Sequence, residues 1–220
     1  MPDMVRVELR RHLPNAGWSY RALDLRQREI AAEVRSQGSK GALLLSEVAP
    51  VITMGRRATA EEILLPPALL ENRGIDIFPT DRGGLATYHG PGQWVLFAVD
   101  TLESLTGDPR GVRALVEGLL AVALEVGRIY DSSAEIRSGA ETGVWTRRGK
   151  FAAVGVHIDQ RVALHGLSVN GFKTETSFLG LRPCGLDAPV DFLLPSSDEQ
   201  EFLKLGEALR KRALAQFWKE

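Results

Sequence analysis

The most constraining stretch of this chain is a pair of apolar runs separated by three polar residues. Residues 151–158 read FAAVGVHI and residues 162–169 read VALHGLSV, with Asp159, Gln160 and Arg161 between them. Short valine-rich runs bounded by a polar turn form paired strands rather than helices. A third run at 143–146 leads into them through Arg147, Arg148 and Gly149. Three strands joined by tight turns demand an antiparallel sheet, and the sheet demands a partner layer for its apolar face.

The remaining pattern supplies that layer. Residues 20–37 read as a helix with Leu23, Ile30, Ala31 and Val34 on one face and Gly38 as its stop. Residues 110–126 read as a second helix, with Val112, Leu115, Val116, Leu119 and Ala123 inward, Pro109 at its start and Gly127 at its end. A last helix is expected from Ser197, with Gln200 answering it in a capping box and Leu203, Leu209, Ala213 and Phe217 inward. Val5, Val7 and Leu9 alternate as a strand, and runs at 42–47, 51–54, 75–78 and 94–99 read likewise. Residues 61–72 hold a short helix interrupted near Pro66 and Pro67, and residues 83–92 read as a loop. The expected fold class is α+β, sandwich-like: a mixed, largely antiparallel sheet with flanking helices. With no repeat and no linker, 220 residues read as one domain over 1–220.

Composition excludes several functions. The formal net charge is −1, without the cationic surplus that non-specific nucleic-acid binding needs. The first residues do not read as a secretory signal, and the apolar run at 119–124 is too short to span a bilayer. A single cysteine forbids an internal disulfide, which fits a reducing cytosol; the expected location is cytoplasmic, with no membrane attachment.

Four places could carry chemistry. Residues 81–93, DRGGLATYHGPGQ, hold four glycines and a proline, so the backbone can approach a ligand closely. Arg82 and His89 add polar donors there; a tight turn with a paired arginine accounts for the same letters. The spacing fits neither a dinucleotide fingerprint nor a phosphate loop. Cys184 stands between Pro183 and Gly185, a setting that displays a thiol on a turn, although lone cysteines are commonly inert core residues. Lys150 opens an apolar strand, where desolvation would lower its pKa and let it activate a thiol; a solvated strand end is the plain alternative. His165 to Asn170, HGLSVN, forms a further polar cluster within a strand. One cysteine and four scattered histidines give no metal-ligand spacing.

Together these segments resemble the lipoate-biosynthesis octanoyltransferases. The resemblance rests on RGGLATYHGPGQ from Arg82, GKFAAVGV from Gly149, HGLSVN from His165 and Pro183-Cys184-Gly185, with VITMGRR from Val51 also matching. It implies a fold related to biotin and lipoate protein ligases. It implies Cys184 as the acyl-carrying nucleophile and Lys150 as its activator. It implies an acyl site built from Arg82, Gly83, Gly84, Leu85, Ala86, Thr87, Tyr88 and His89, from Ala153, Val154 and Gly155, and from His165, Gly166, Leu167 and Ser168. No cofactor and no metal is implied. The implied donor is octanoyl-acyl carrier protein; the implied acceptors are lipoyl domains of 2-oxoacid dehydrogenase E2 subunits and the glycine cleavage H protein. A monomer is expected. Trp94, Phe97, Ala98 and Phe151 depart from the usual family residues, which bears on acyl length. The rival readings are an ATP-dependent lipoate or biotin ligase, a cysteine hydrolase using His89 or His165, and a non-catalytic acyl-carrier-binding module.

Overall fold

The computed structural model describes residues 5–12, 18–182 and 189–218. Its larger sheet runs in the order β1 (Arg6–Arg10), β2 (Ala42–Ser46), β6 (Gln93–Val99), β10 (Val162–Asn170), β9 (Lys150–Asp159), β8 (Gly143–Trp145) and β7 (Glu135–Arg137). All neighbours in it are antiparallel except β1 beside β2. A second sheet holds β4 (Asp76–Pro79), β3 (Val51–Met54) and β5 (Ala86–His89), with β3 parallel to β4 and antiparallel to β5. The mixed, largely antiparallel α+β expectation holds, divided between two sheets.

β2 and β6 are buried throughout because both faces are covered. Leu43, Leu45, Trp94, Leu96 and Ala98 point to a helical layer of α3 (Leu102–Thr106), α4 (Val112–Tyr130) and α5 (Glu199–Phe217). The alternate residues Leu44, Val95, Phe97 and Val99 point the other way, to α1 (Tyr20–Gln37). The small sheet buries its outer side on Ile52, Leu70, Ala86, Tyr88 and Leu181. Among the described residues no helix is long and apolar enough to cross a membrane.

The boundaries correct several expectations. Ser19 caps α1 by accepting from Ala22 N at 3.2 Å, and Gly38 ends it in the left-handed conformation, as expected. Gly127 does not end α4, which continues to Tyr130; it sits in the last turn, where a Cβ would run into the Phe151 ring. Asp198, not Ser197, caps α5, accepting from the N–H groups of Gln200 and Glu201 at 2.9 and 3.0 Å. Val112 and Leu203 are exposed rather than inward, while Phe202 and Leu205 are buried. The expected loop 83–92 contains β5, and neither α3 nor β7 was legible.

Two features position the site. β8 is only three residues long, so β9 beyond Ala152 has no strand on its outer side among the described residues. Gly155 of β9 lies opposite Gly166 of β10, and a Cβ on Gly155 would stand 2.9 Å from the carbonyl oxygen of Gly83. The 82–85 loop therefore rests directly on β9, held by Gly83 N donating to Val156 O at 2.9 Å.

Candidate active site

A cavity of about 320 Å³ opens where β9 is left without a strand partner. Its roof is the loop from Arg82 to Leu85, and its walls include Ala153 to Val156 of β9 and His165 to Ser168 of β10. Lys150, Thr142, Gly139 and Ala140 line another part of it, and Tyr20, Val95 and Phe97 close its base. This is the lower end of the ~300–1,000 Å³ common for small-molecule sites.

The loop residues divide by strand parity. Thr87 and His89 of β5 line the cavity; Ala86 and Tyr88 do not. Those two face the small sheet's own core, where the Tyr88 hydroxyl lies 2.7 Å from Thr176 Oγ1. Arg82 lines the cavity but is buried, and its guanidinium donates to Thr53 O and Thr53 Oγ1, both at 2.7 Å, and to Gly83 O at 3.1 Å. Arg82 thus ties the loop to β3.

Lys150 donates from Nζ to Thr142 O at 2.7 Å, and its ammonium lies 5.9 Å from the centre of the Trp145 ring. Gly143 makes room for it, since a Cβ there would come within 3.0 Å of Nζ. The main chain of Lys150 is held as well: its N–H donates to Pro189 O at 2.9 Å, and its carbonyl accepts from Asp191 N at 3.0 Å. Cys184 lies outside the described residues. Its described flanks are anchored, one by Lys150 and the other by Arg182 N donating to Glu62 O at 2.9 Å. Glu62 is buried and accepts from Thr59 N and Ala86 N at 3.1 and 2.6 Å, which fastens that anchor to β5.

His165 sits in β10 with φ of 62°, a left-handed turn of the strand that His tolerates better than most residues. Its N–H leaves the ladder and donates to Gln27 Oε1 at 2.7 Å. Its ring is fully engaged: Nε2 lies 2.6 Å from Asp81 Oδ1, while Nδ1 is 3.2 Å from the Tyr20 hydroxyl and 3.3 Å from Gln27 Nε2. Gln27 Oε1 already accepts, so its amide N donates to Nδ1, and the proton of His165 stands on Nε2. Burial pushes the His165 pKa down against the pull of Asp81. The carboxyl of Asp81 is held well below the usual range, first by His165 and then by Arg28 at 3.0 Å. With both ring nitrogens occupied, His165 is not placed to serve as a base for a cysteine.

Sequence reading missed Tyr20, Gln27, Thr142 and Asp191, and named Phe97 only as a departure bearing on acyl length. Gln27 carried a signal: it follows Leu23 by one helical turn on the buried face of α1, and a polar residue there needs buried partners. No three of the described His, Cys, Asp and Glu residues form a group able to hold a metal ion.

The profile of the lipoyl protein ligase A/B catalytic domain matches residues 20–193. The chain belongs to that family. An octanoyltransferase of Magnetococcus marinus is 36% identical over 200 residues, covering 90% of this chain and 85% of that one. Within the lipoyl ligase family the chain is therefore an acyltransferase of the octanoyltransferase group. The fold agrees. A crystal structure of lipoate-protein ligase A bound with ATP superposes with a TM-score of 0.70 at 14% identity, over 98% of this chain and 88% of that one. The biotin protein ligase of Leishmania major, in complex with biotinyl-5-AMP, superposes with a TM-score of 0.51 at 9% identity, over 97% and 77%.

Proposed function

We propose that this octanoyltransferase-family chain moves an octanoyl group from octanoyl-acyl carrier protein to the lysine of lipoyl domains, through a thioester on Cys184. The observation that carries the reading is the hydrogen-bonded pairing of Lys150 with Pro189 and Asp191, five residues beyond Cys184 and more, at the cavity that Lys150 lines. In the first step the Cys184 thiolate attacks the donor thioester, and the carrier leaves as its thiol. Neutral Lys150 takes the Cys184 proton, or its ammonium stabilises the thiolate. In the second step the lysine amine attacks the Cys184 thioester; the C–N bond forms, the C–S bond breaks, and the amine proton ends on the departing sulfur through Lys150.

Exchange between thioesters is nearly balanced, and amide formation drives the second step, so ATP has no part. Main-chain N–H groups beside Gly185 or in the facing glycine-rich turn stabilise the tetrahedral oxyanion. The octanoyl tail occupies the cavity over Gly155, where burial at ~0.8 kcal/mol per CH₂ contributes several kcal/mol. The acceptors are E2 lipoyl domains and the glycine cleavage H protein, and the enzyme acts in the cytoplasm as a monomeric single domain. Incubation with octanoyl-acyl carrier protein should add one octanoyl mass to Cys184. Normal transfer by the Cys184→Ser protein would overturn the relay.

A further inference from the structure

His89 is a buried cavity residue for which the Cys184–Lys150 relay has no task. Its protonation state is fixed by a chain of hydrogen bonds anchored on main-chain carbonyls, which can only accept. Asn170 Nδ2 donates to Asp191 O at 3.0 Å, so Asn170 presents Oδ1 on its other side. That oxygen accepts from Gln93 Nε2 at 2.8 Å, and Gln93 Nε2 gives its second proton to Tyr88 O at 3.1 Å. Gln93 Oε1 therefore faces His89 Nδ1, 2.6 Å away, as an acceptor, and Nδ1 carries the proton. The Tyr20 ring stacks on the imidazole at 5.3 Å and 12°, which fixes its plane.

The consequence is a bare lone pair on His89 Nε2. Burial, reinforced by the Arg82 charge, holds the ring neutral with its pKa pushed down to about 3. Among the described residues Nε2 has no hydrogen-bond partner, and His89 lines the cavity. This is the reverse of His165, whose two nitrogens are both engaged. The His89 ring is buried but this lone pair opens into the cavity, where a bound ligand can bring a donor to it. The donor thioester brings no N–H to its reacting atoms. The acceptor lysine brings two.

We propose that His89 Nε2 accepts a hydrogen bond from the ε-amine of the acceptor lysine and aligns its nitrogen lone pair with the Cys184 thioester carbonyl. The assignment rests on the Cys184 relay and gives the second half-reaction its own residue. A ring so weakly basic orients the amine and does not retain its proton. The proton released as the amide forms still travels to the departing sulfur. The same tautomer keeps His89 from donating to the tetrahedral oxyanion.

The two half-reactions can be timed separately. Loading is followed by intact mass after mixing enzyme with octanoyl-acyl carrier protein; aminolysis is followed by adding lipoyl domain to preloaded enzyme. For His89→Ala, aminolysis is expected to fall at least tenfold more than loading. Equal losses in both steps, or a larger loss in loading, would overturn the proposal. If the unmodified enzyme never carries octanoyl on Cys184, the relay itself fails, and His89 loses its step with it. A readout independent of any variant's folding is the ¹⁵N spectrum of His89 in the unmodified protein. It should show a protonated Nδ1 and a bare Nε2, and a protonated Nε2 would refute the assignment.

Discussion

Lys150 donates its main-chain N–H to the carbonyl of Pro189 at 2.9 Å. The residue read as the activator and the chain that leaves the cysteine segment therefore share one strand pairing, continued by Asp191 N to Lys150 O. The backbone sets their distance, and the Lys150 side chain is free to be tested by substitution without undoing that pairing.

On the proposed relay, Lys150→Ala should fold normally and raise the Cys184 thiol pKa, because the ammonium that would stabilise the thiolate is removed. The expected rise is roughly 1–3 units, the usual effect of a close opposite charge. The rate of thiol alkylation against pH reads it directly. An unchanged profile would remove Lys150 from the relay.

Asp191→Asn should loosen the same pairing from the other side. Asp191 is buried, accepts from Thr146 Oγ1 and from Arg148 Nε at 2.9 Å, and its own carbonyl accepts from Asn170. Neutralising it weakens two of those bonds, at a cost of about 1–3 kcal/mol in urea unfolding. Octanoyl transfer should fall along with stability, because the Asp191 main chain holds Lys150.

Gly155→Val tests the roof. A Cβ there would stand 2.9 Å from the Gly83 carbonyl, so the loop must lift. Overpacking of this kind costs about 1–3 kcal/mol. Activity should fall at least tenfold while circular dichroism keeps its shape. Full activity with the loop intact would mean that the loop does not cover the acyl chain.

Acid should unfold the protein through its histidines. His89 is pushed down to about 3 from the ordinary 6.5, so the unfolded chain binds the proton first as pH falls. Its contribution to stability is present above about 6.5 and is lost between about 6.5 and 3, at up to ~1.4 kcal/mol per pH unit. His165 shifts in the same direction, and the depressed Asp81 adds a loss at still lower pH. Urea midpoints measured from pH 7 to pH 4 should decline, and His89→Gln should flatten the decline.

Much of this was legible in the chain. The hairpin of β9 and β10 was written in two valine-rich runs, and its polar turn is where Gln160 and Arg161 adopt positive φ. Of the cavity's glycines, Gly83, Gly84, Gly155 and Gly166 stood in segments already read as candidate site, and Gly139 did not. What could not be read was long-range. Ala86 and Tyr88 look like neighbours of Thr87 and His89 on paper, but strand parity sends them to the other face. Gly127 resembles a helix stop until Phe151 is seen against it. The tautomer of His89 depends on Asn170 and Asp191, residues 81 and 102 positions away (170 − 89 and 191 − 89), which no local pattern connects.

The shortness of β8 has a further consequence. A strand margin left without a neighbour invites pairing with another copy of the same margin. In this enzyme the turn over Gly83 doubles as a sheath for β9. A substitution that dislodges that turn should do more than silence catalysis: it should make the protein sticky, with turbidity rising on warming before the helices melt.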